Sequence, residues 1–335
     1  MKKSLLRVIL SIIVFFLLTS NLNAQKMKQN NSKTINEYSD EELIKNLSGF
    51  TNHFEKVNSI QLHYVEGGSG DALICLAGWP QTWYSFHTVA PELSKKHRVI
   101  IVDLRGMGSS DKPASGYDKK TMAKDIYELV KKLELKKVSI LGHDIGGMVA
   151  MSFALNYPEI TEKLIVMDGA HPSEGMMKMS MFPEKGAFKE KMDGNNPYGW
   201  WFAFNQVKEL PEQLLEGRFN LLLDWLFNYA MIDSTKMSEE DRAVYASAYN
   251  KPENIRAGNA WYQAFPQDID DSKTYQTLTM PVLGIGSYIV YNSIKMTLPN
   301  FAKNCQIVQI PNSGHYMNEE KPEEVLKIVS DFLSK

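Results

Sequence analysis

The ten residues Val138–Gly147, VSILGHDIGG, decide the fold. VSILGH is a short apolar run of strand character, and from Gly146 to Tyr157 the pattern turns helical, so the residue between them sits on a strand–turn–helix junction. That residue is Asp144, flanked by Gly142, Gly146 and Gly147. A turn this sharp strains the backbone at its middle position and presents that side chain at a helix N-terminus, where negative charge is stabilised. An aspartate there can serve as the helix cap or as a nucleophile. The strand before it, the helix after it and suitable partners further along the chain favour the nucleophile.

On both sides of this junction the same rhythm continues. Strand-like runs QLHYVE, ALICLA and VIIVDL precede it, with helical patterns over Trp83 to Lys95 and Lys120 to Leu133, and KLIVMD follows it. Strands that are almost continuously Val, Ile and Leu, separated by helices, predict a parallel sheet covered on both faces. After Gly169 the pattern changes: residues 171–265 are rich in Met, Trp, Phe and helix formers, as in FNLLLDWLFNYAMI, without strand alternation. The strand rhythm then resumes with MPVLGIG, a helical stretch from Ser293 to Ala302, CQIVQI and a last helix from Lys321 to Leu333. The expected architecture is an α/β fold with a mostly parallel, doubly wound sheet. Its core is formed by residues 50–170 and 266–335, and a helical cap, 171–265, is inserted after the sixth strand. Such a cap closes a pocket over the carboxyl ends of the strands, where ligands bind in open α/β sheets.

The N-terminus reads differently. Lys2 and Lys3, an apolar run from Leu5 to Leu18 and a small residue at Ala24 form the pattern of a signal peptide cleaved after about Ala24. The run is short for a span of about 20 residues, so no stable membrane span is expected after cleavage, and the chain is expected to be secreted or periplasmic. Residues 25–49 then form a polar tail and a capped amphipathic helix, SDEELIKNL, packed on the domain. Net charge is −2 with both signs interspersed, which gives no basic face for nucleic acid. Cys75 and Cys305 fall in separate strand-like runs and are read as two buried thiols. No Cys/His cluster with metal-ligand spacing occurs, so neither metal nor cofactor is expected.

A carboxylate nucleophile attacks a saturated carbon that bears a leaving group or ring strain, and water then hydrolyses the resulting alkyl ester. That water needs a base. His315, in PNSGHYMNEEKP between the last strand and the last helix, stands where a triad histidine comes in this chain order. The loop after MPVLGIG, where the supporting acid is usually sought, contains SYIVYN and no acid. Asp168, at the end of KLIVMD, is the substitute for orienting His315.

These residues resemble the epoxide hydrolase and haloalkane dehalogenase branch of the α/β-hydrolase fold superfamily. QLHYVEGGSG, GWPQTWYSF, VDLRGMGSSDKP, GHDIGGMVA and GHYMNEEKPEEV match its motifs in order, from about Asn52 onward. Within the branch the chain is most similar to secreted Cif-like epoxide hydrolases, which also carry an export signal and an acid at the Asp168 position. The resemblance implies an oxyanion hole from the backbone N–H groups of Trp79 and Ile145, and Tyr262 as the proton donor to the opening ring. It also implies that Trp201 replaces the second cap donor, a histidine or tyrosine in relatives, with Trp200 beside it as a further substrate-binding residue. An indole N–H can hydrogen-bond a substrate but cannot surrender its proton.

Three functions remain open on this reading. One is a hydrolase opening small apolar epoxides to diols. A second is a haloalkane dehalogenase in which the same triad works with cap tryptophans binding halide. The third is a catalytically impaired binding protein or effector, because Ala77 stands where the branch carries a histidine that props the oxyanion loop. Ile145 and Met148 stand where dehalogenases of fluoroacetate type carry arginines, which disfavours an acidic substrate. Met176, Met177, Met179 and Met181 are expected to shape the lid, and a homodimer is left open.

Overall fold

The structure is a computed structural model that describes residues 37–180, 182–183, 185–186, 190–195 and 197–335. The signal segment 1–24, most of the polar tail and Met181 lie outside the described residues. Residues up to Asn46 form a unit of their own. Its described part is helix α1 (Asp40–Leu43) and a 3-10 turn, Ile44–Asn46. The helix is shorter than the periodicity of SDEELIKNL predicts, and the Ser39 side chain makes no capping bond.

The second unit, Leu47–Lys335, is built on one sheet. Its strands are β1 (Phe50–Val57), β2 (Ile60–Gly67), β3 (Asp71–Leu76), β4 (His97–Val102), β5 (Val138–His143), β6 (Thr161–Met167), β7 (Val282–Gly286) and β8 (Cys305–Gln309). Their spatial order is β1-β2-β4-β3-β5-β6-β7-β8. The six strands from β4 to β8 in that order run parallel, and β2 and then β1 add antiparallel at one edge. β1 and β2 are joined by Asn58 and Ser59, both at positive φ, as a two-residue hairpin requires.

Helices α2 (Ala90–Leu93), α3 (Lys119–Lys132) and α4 (Ile145–Asn156) connect the first strands. The single helix predicted over Trp83 to Lys95 is broken into a 3-10 turn, Trp83–Phe86, and α2. Pro91, with no N–H to donate, is tolerated only in the first turn of α2, so the helix has to restart there. Every residue of β5 is buried, as expected for a central strand covered on both faces.

The segment expected to form the cap contributes α5 (Trp201–Phe204), α6 (Leu210–Leu215), α7 (Phe219–Ala230), α8 (Glu239–Tyr249) and α9 (Pro252–Gln263), and α10 (Phe265–Ser272) follows it. The chain then completes the sheet with β7 and β8, joined by α11 (Tyr291–Thr297) and followed by α12 (Met317–Glu320) and α13 (Pro322–Leu333). Among the described residues no helix is long and apolar enough to cross a membrane. The two cysteines are unpaired; Cys75 is buried on β3, whereas Cys305 on the edge strand β8 is partly exposed and not buried as its run suggests.

After β3 the chain winds to β4 on one side, and after β4 it crosses to β5 on the other, so the winding reverses around β3. The crevice at such a reversal is where ligands bind in this class.

Candidate active site

Sheet register brings the candidate residues to one line. Leu76 pairs with Gly142, His143 with Met167, and Met167 with Ile285, so the residues just past the ends of β3, β5, β6 and β7 emerge side by side. Trp79, Asp144, Asp168 and Ser287 follow those strand ends in turn. Two backbone bonds extend the ladder past the sheet: the Asp144 N–H donates to the Met167 carbonyl at 2.9 Å and that of Asp168 to the Ile285 carbonyl at 3.0 Å. Asp144 and Asp168 both have positive φ, +50° and +44°, a strained setting for a side chain with a Cβ that the surrounding packing imposes. Gly146 lies so close to the Leu76 carbonyl that a Cβ there would overlap it.

The Asp144 carboxylate is held on one side and open on the other. Its Oδ2 accepts the Trp79 backbone N–H at 2.9 Å, and the Ile145 backbone N–H also donates to the group. Gly78 is necessary for this approach, because a Cβ at that position would sit against the Asp144 side chain. Oδ1 faces the imidazole of His315, 3.8 Å from Nε2. The other ring nitrogen of His315, Nδ1, lies 3.1 Å from Asp168 Oδ2, and Asp168 Oδ1 accepts the Ser287 N–H at 2.7 Å. The loop after β7 therefore supplies a backbone donor to the acid that replaces the one it lacks.

Burial pushes the Asp144 carboxyl up from its ordinary value, against the pull of His315 and the two N–H donors. For His315, burial alone would lower the imidazole, but the Asp168 hydrogen bond and the charges of Asp144 and Asp168 outweigh it and raise it. A second imidazole, His143, packs 4.6 Å from the His315 ring. Burial, then the nearby His315, holds it well below its ordinary value, so it is neutral and donates Nε2–H to the His315 carbonyl at 2.8 Å. This contact fixes the backbone under His315, and the sequence offered no pointer to it beyond a histidine beside the elbow.

Residues 71–322 match the family model described as alpha/beta hydrolase fold. The chain belongs to that family. This alpha/beta hydrolase is 36% identical over 290 residues to the soluble epoxide hydrolase of Corynebacterium sp. (strain C12), a match covering 85% of this chain and 97% of the relative. It is 26% identical over 300 residues to a fluoroacetate dehalogenase from Burkholderia sp., covering 85% of this chain and 94% of that one. The crystal structure of the Cif epoxide hydrolase from Acinetobacter nosocomialis superposes with a TM-score of 0.80 at 21% identity, over 91% of this chain and 96% of the other, a likeness of fold. The resemblance read from the motifs is borne out, and the chain is a hydrolase.

A cavity of about 220 Å³ lies over the Asp144 carboxylate of this hydrolase. Trp79, Tyr262, Trp201, His315 and Asp168 line it, together with a largely apolar wall that includes Met148, Met176, Met179 and Met192. Tyr262, on α9, is buried, with its ring edge-on to Trp79 at 5.5 Å. Burial first, then the Asp144 charge, raises its phenol well above the ordinary range, while a hydrogen bond from Trp201 works the other way. Since an indole N–H only donates, Trp201 donates to the Tyr262 oxygen and leaves the phenol proton available.

Trp200 does not join this cavity. It packs against Trp225 and Phe204 and lines a separate groove on the cap. Successive residues at the start of a helix point about 100° apart, so only one of the two tryptophans can face Asp144. Met177 is likewise exposed and borders an outer groove. Tyr316, which sequence reasoning passed over, lines the cavity next to His315.

Proposed function

We propose that this hydrolase opens small apolar epoxides to diols through an alkyl ester on Asp144. The observation that carries the reading is the divided carboxylate: Oδ2 rests on the Trp79 N–H, with the Ile145 N–H also donating to the group, while Oδ1 faces His315 at the floor of an apolar cavity. In the proposed first step Oδ1 attacks a ring carbon, the carbon–oxygen bond breaks, and Tyr262 protonates the departing alkoxide. In the second, His315, oriented by Asp168, takes a proton from water as the water adds to the Asp144 carboxyl carbon. The negative charge then forms on Oδ2, where the Trp79 N–H stands; collapse breaks the bond from the carboxyl carbon to Oδ1, the departing diol oxygen takes the proton of the added hydroxyl, and the proton held by His315 restores the Tyr262 phenol.

The soluble epoxide hydrolase named above, 36% identical along nearly its full length, supports this reading. The dehalogenase alternative needs indole donors aimed at a halide, yet the Trp201 N–H is engaged by the Tyr262 oxygen. Nor does any arginine or lysine appear among the described residues of the cavity wall, which disfavours a carboxylate substrate.

The test is His315→Gln incubated with 1,2-epoxyhexane or 1-bromohexane. The expected result is a mass increase on intact protein, located at Asp144 by peptide mapping, with the epoxide and not the bromide. Absence of any adduct, with no consumption of either compound by wild type, would defeat the proposal. We propose in addition that the segment ending at Ala24 directs export; its removal in the mature protein is read by N-terminal sequencing.

A further inference from the structure

The Trp79 N–H can serve Asp144 only if the loop that carries it is held still. Ala77, just before Gly78, has only a methyl group and makes no side-chain hydrogen bond that could hold it. What holds the loop here is Gln81, which is almost fully buried. Its N–H closes a turn on the Gly78 carbonyl at 2.9 Å. Its carbonyl accepts the Tyr249 hydroxyl at 2.9 Å, and its side-chain amide donates to Glu319 Oε1 at 2.5 Å. The same Glu319 oxygen accepts the Tyr245 hydroxyl at 2.9 Å. Beyond the turn, the Trp83 N–H is fixed on Asp103 at 2.8 Å.

Tyr245 and Tyr249 are one helical turn apart on α8, hence on one face of a cap helix. Glu319 belongs to α12, which begins two residues after His315. Cap, oxyanion loop and histidine-bearing segment therefore converge on a single buried amide. We propose that Gln81, Tyr249 and Glu319 are positioning residues that hold the Trp79 loop in place and set the rate at which the Asp144 ester is hydrolysed.

The inference rests on the Asp144 reading. It follows from where the charge forms: alkylation at Oδ1 leaves the Trp79 N–H already on Oδ2, whereas water attack builds full negative charge on Oδ2 and needs that N–H in register. Displacements of about 1 Å at a reacting centre are enough to slow a step by roughly 100-fold. Burial pushes the Glu319 carboxyl up to about 8, so at neutral pH it is largely uncharged and still offers Oε1 as an acceptor.

The experiment compares wild type with Gln81→Met, Tyr249→Phe, Glu319→Met and Glu319→Gln in rapid-quench turnover of 1,2-epoxyhexane, following ester and diol. The His315→Gln trap is read first. Each of the first three variants is expected to form ester within about 2-fold of the wild-type rate and to hydrolyse it ~10-fold or more slowly. Ester then accumulates, and kcat and KM fall together with kcat/KM nearly unchanged. Glu319→Gln, which keeps the acceptor oxygen, is expected to recover most of the hydrolysis lost in Glu319→Met. Wild-type hydrolysis in both Gln81→Met and Tyr249→Phe overturns the inference, and so does a parallel loss of ester formation and hydrolysis, which marks a merely structural role. No adduct in His315→Gln removes the Asp144 reading and this inference with it, whereas an adduct there with normal hydrolysis in the loop variants removes the inference alone.

Discussion

Tyr262 has the proton that a ring-opening step requires and is kept from losing it. Burial and the Asp144 charge hold the phenol protonated well past the ordinary range, and the Trp201 N–H occupies one lone pair of its oxygen. In the proposed mechanism His315 changes the opposite way. Against the effect of burial, the Asp168 hydrogen bond and the Asp144 charge raise its imidazole, and esterification would abolish the Asp144 charge, so the ring would hold a proton less tightly in the ester state. On the acid side kcat therefore falls as pH drops through the histidine pKa of the ester state, and kcat/KM falls as Asp144, itself raised by burial, takes up a proton. No alkaline loss is expected below pH of about 10, the ordinary phenol pKa, because the raised phenol is still protonated there. In Tyr262→Phe epoxide opening should drop about 10²–10⁴-fold, the usual worth of a general acid, without a change in the acid limb. A pH–rate profile of both proteins checks this; an alkaline limb near pH 8 in wild type would contradict it.

At the scale of elements, α9 and α10 are joined to the start of α3 by a buried clip. The Lys119 ammonium, at the start of α3, donates to the Trp261 carbonyl of α9 at 2.7 Å and to Asp268 of α10 at 2.9 Å, while the Lys119 backbone N–H donates to Asp268 Oδ1 at 2.6 Å. Both side chains are fully enclosed. Lys119→Met should destabilise the fold by about 3–5 kcal/mol, since it leaves a buried carboxylate with one partner, and replacing both residues by apolar ones should recover part of that loss. Urea denaturation of the single and double variants measures it. The clip was not legible in the sequence, because 149 residues separate its ends. The strands and the elbow were, since a six-residue apolar run followed by a glycine-flanked polar residue and a helix leaves little choice of geometry. Where two aromatics stand in succession, as at Trp200 and Trp201, periodicity cannot say which one faces inward until the phase of a four-residue helix is known. The Asp168 substitution was legible because one loop lacked an acid and a neighbouring strand ended in one; the Gln81–Glu319 contact, between residues of ordinary surface type, was not.

At the scale of the whole molecule, Trp79, Asp144, Asp168 and Ser287 follow the ends of four adjacent strands, while His315 comes after β8 and Tyr262 from helix α9. The wall of the cavity mixes methionines, which adapt to irregular shapes, with rings that do not. Of the six tryptophans in the chain, Trp79 and Trp201 border this cavity. Both are in its wall and would adjoin a bound molecule, while Trp83 and Trp261 are packed deep in the protein. The hydrolase thus contains its own optical reporter. Saturating 1,2-hexanediol should shift or quench the intrinsic emission, Trp201→Phe should remove about half of that response, and Trp200→Phe, whose ring faces another groove, should leave it intact; a signal that follows Trp200 would place the ligand outside the chamber above Asp144.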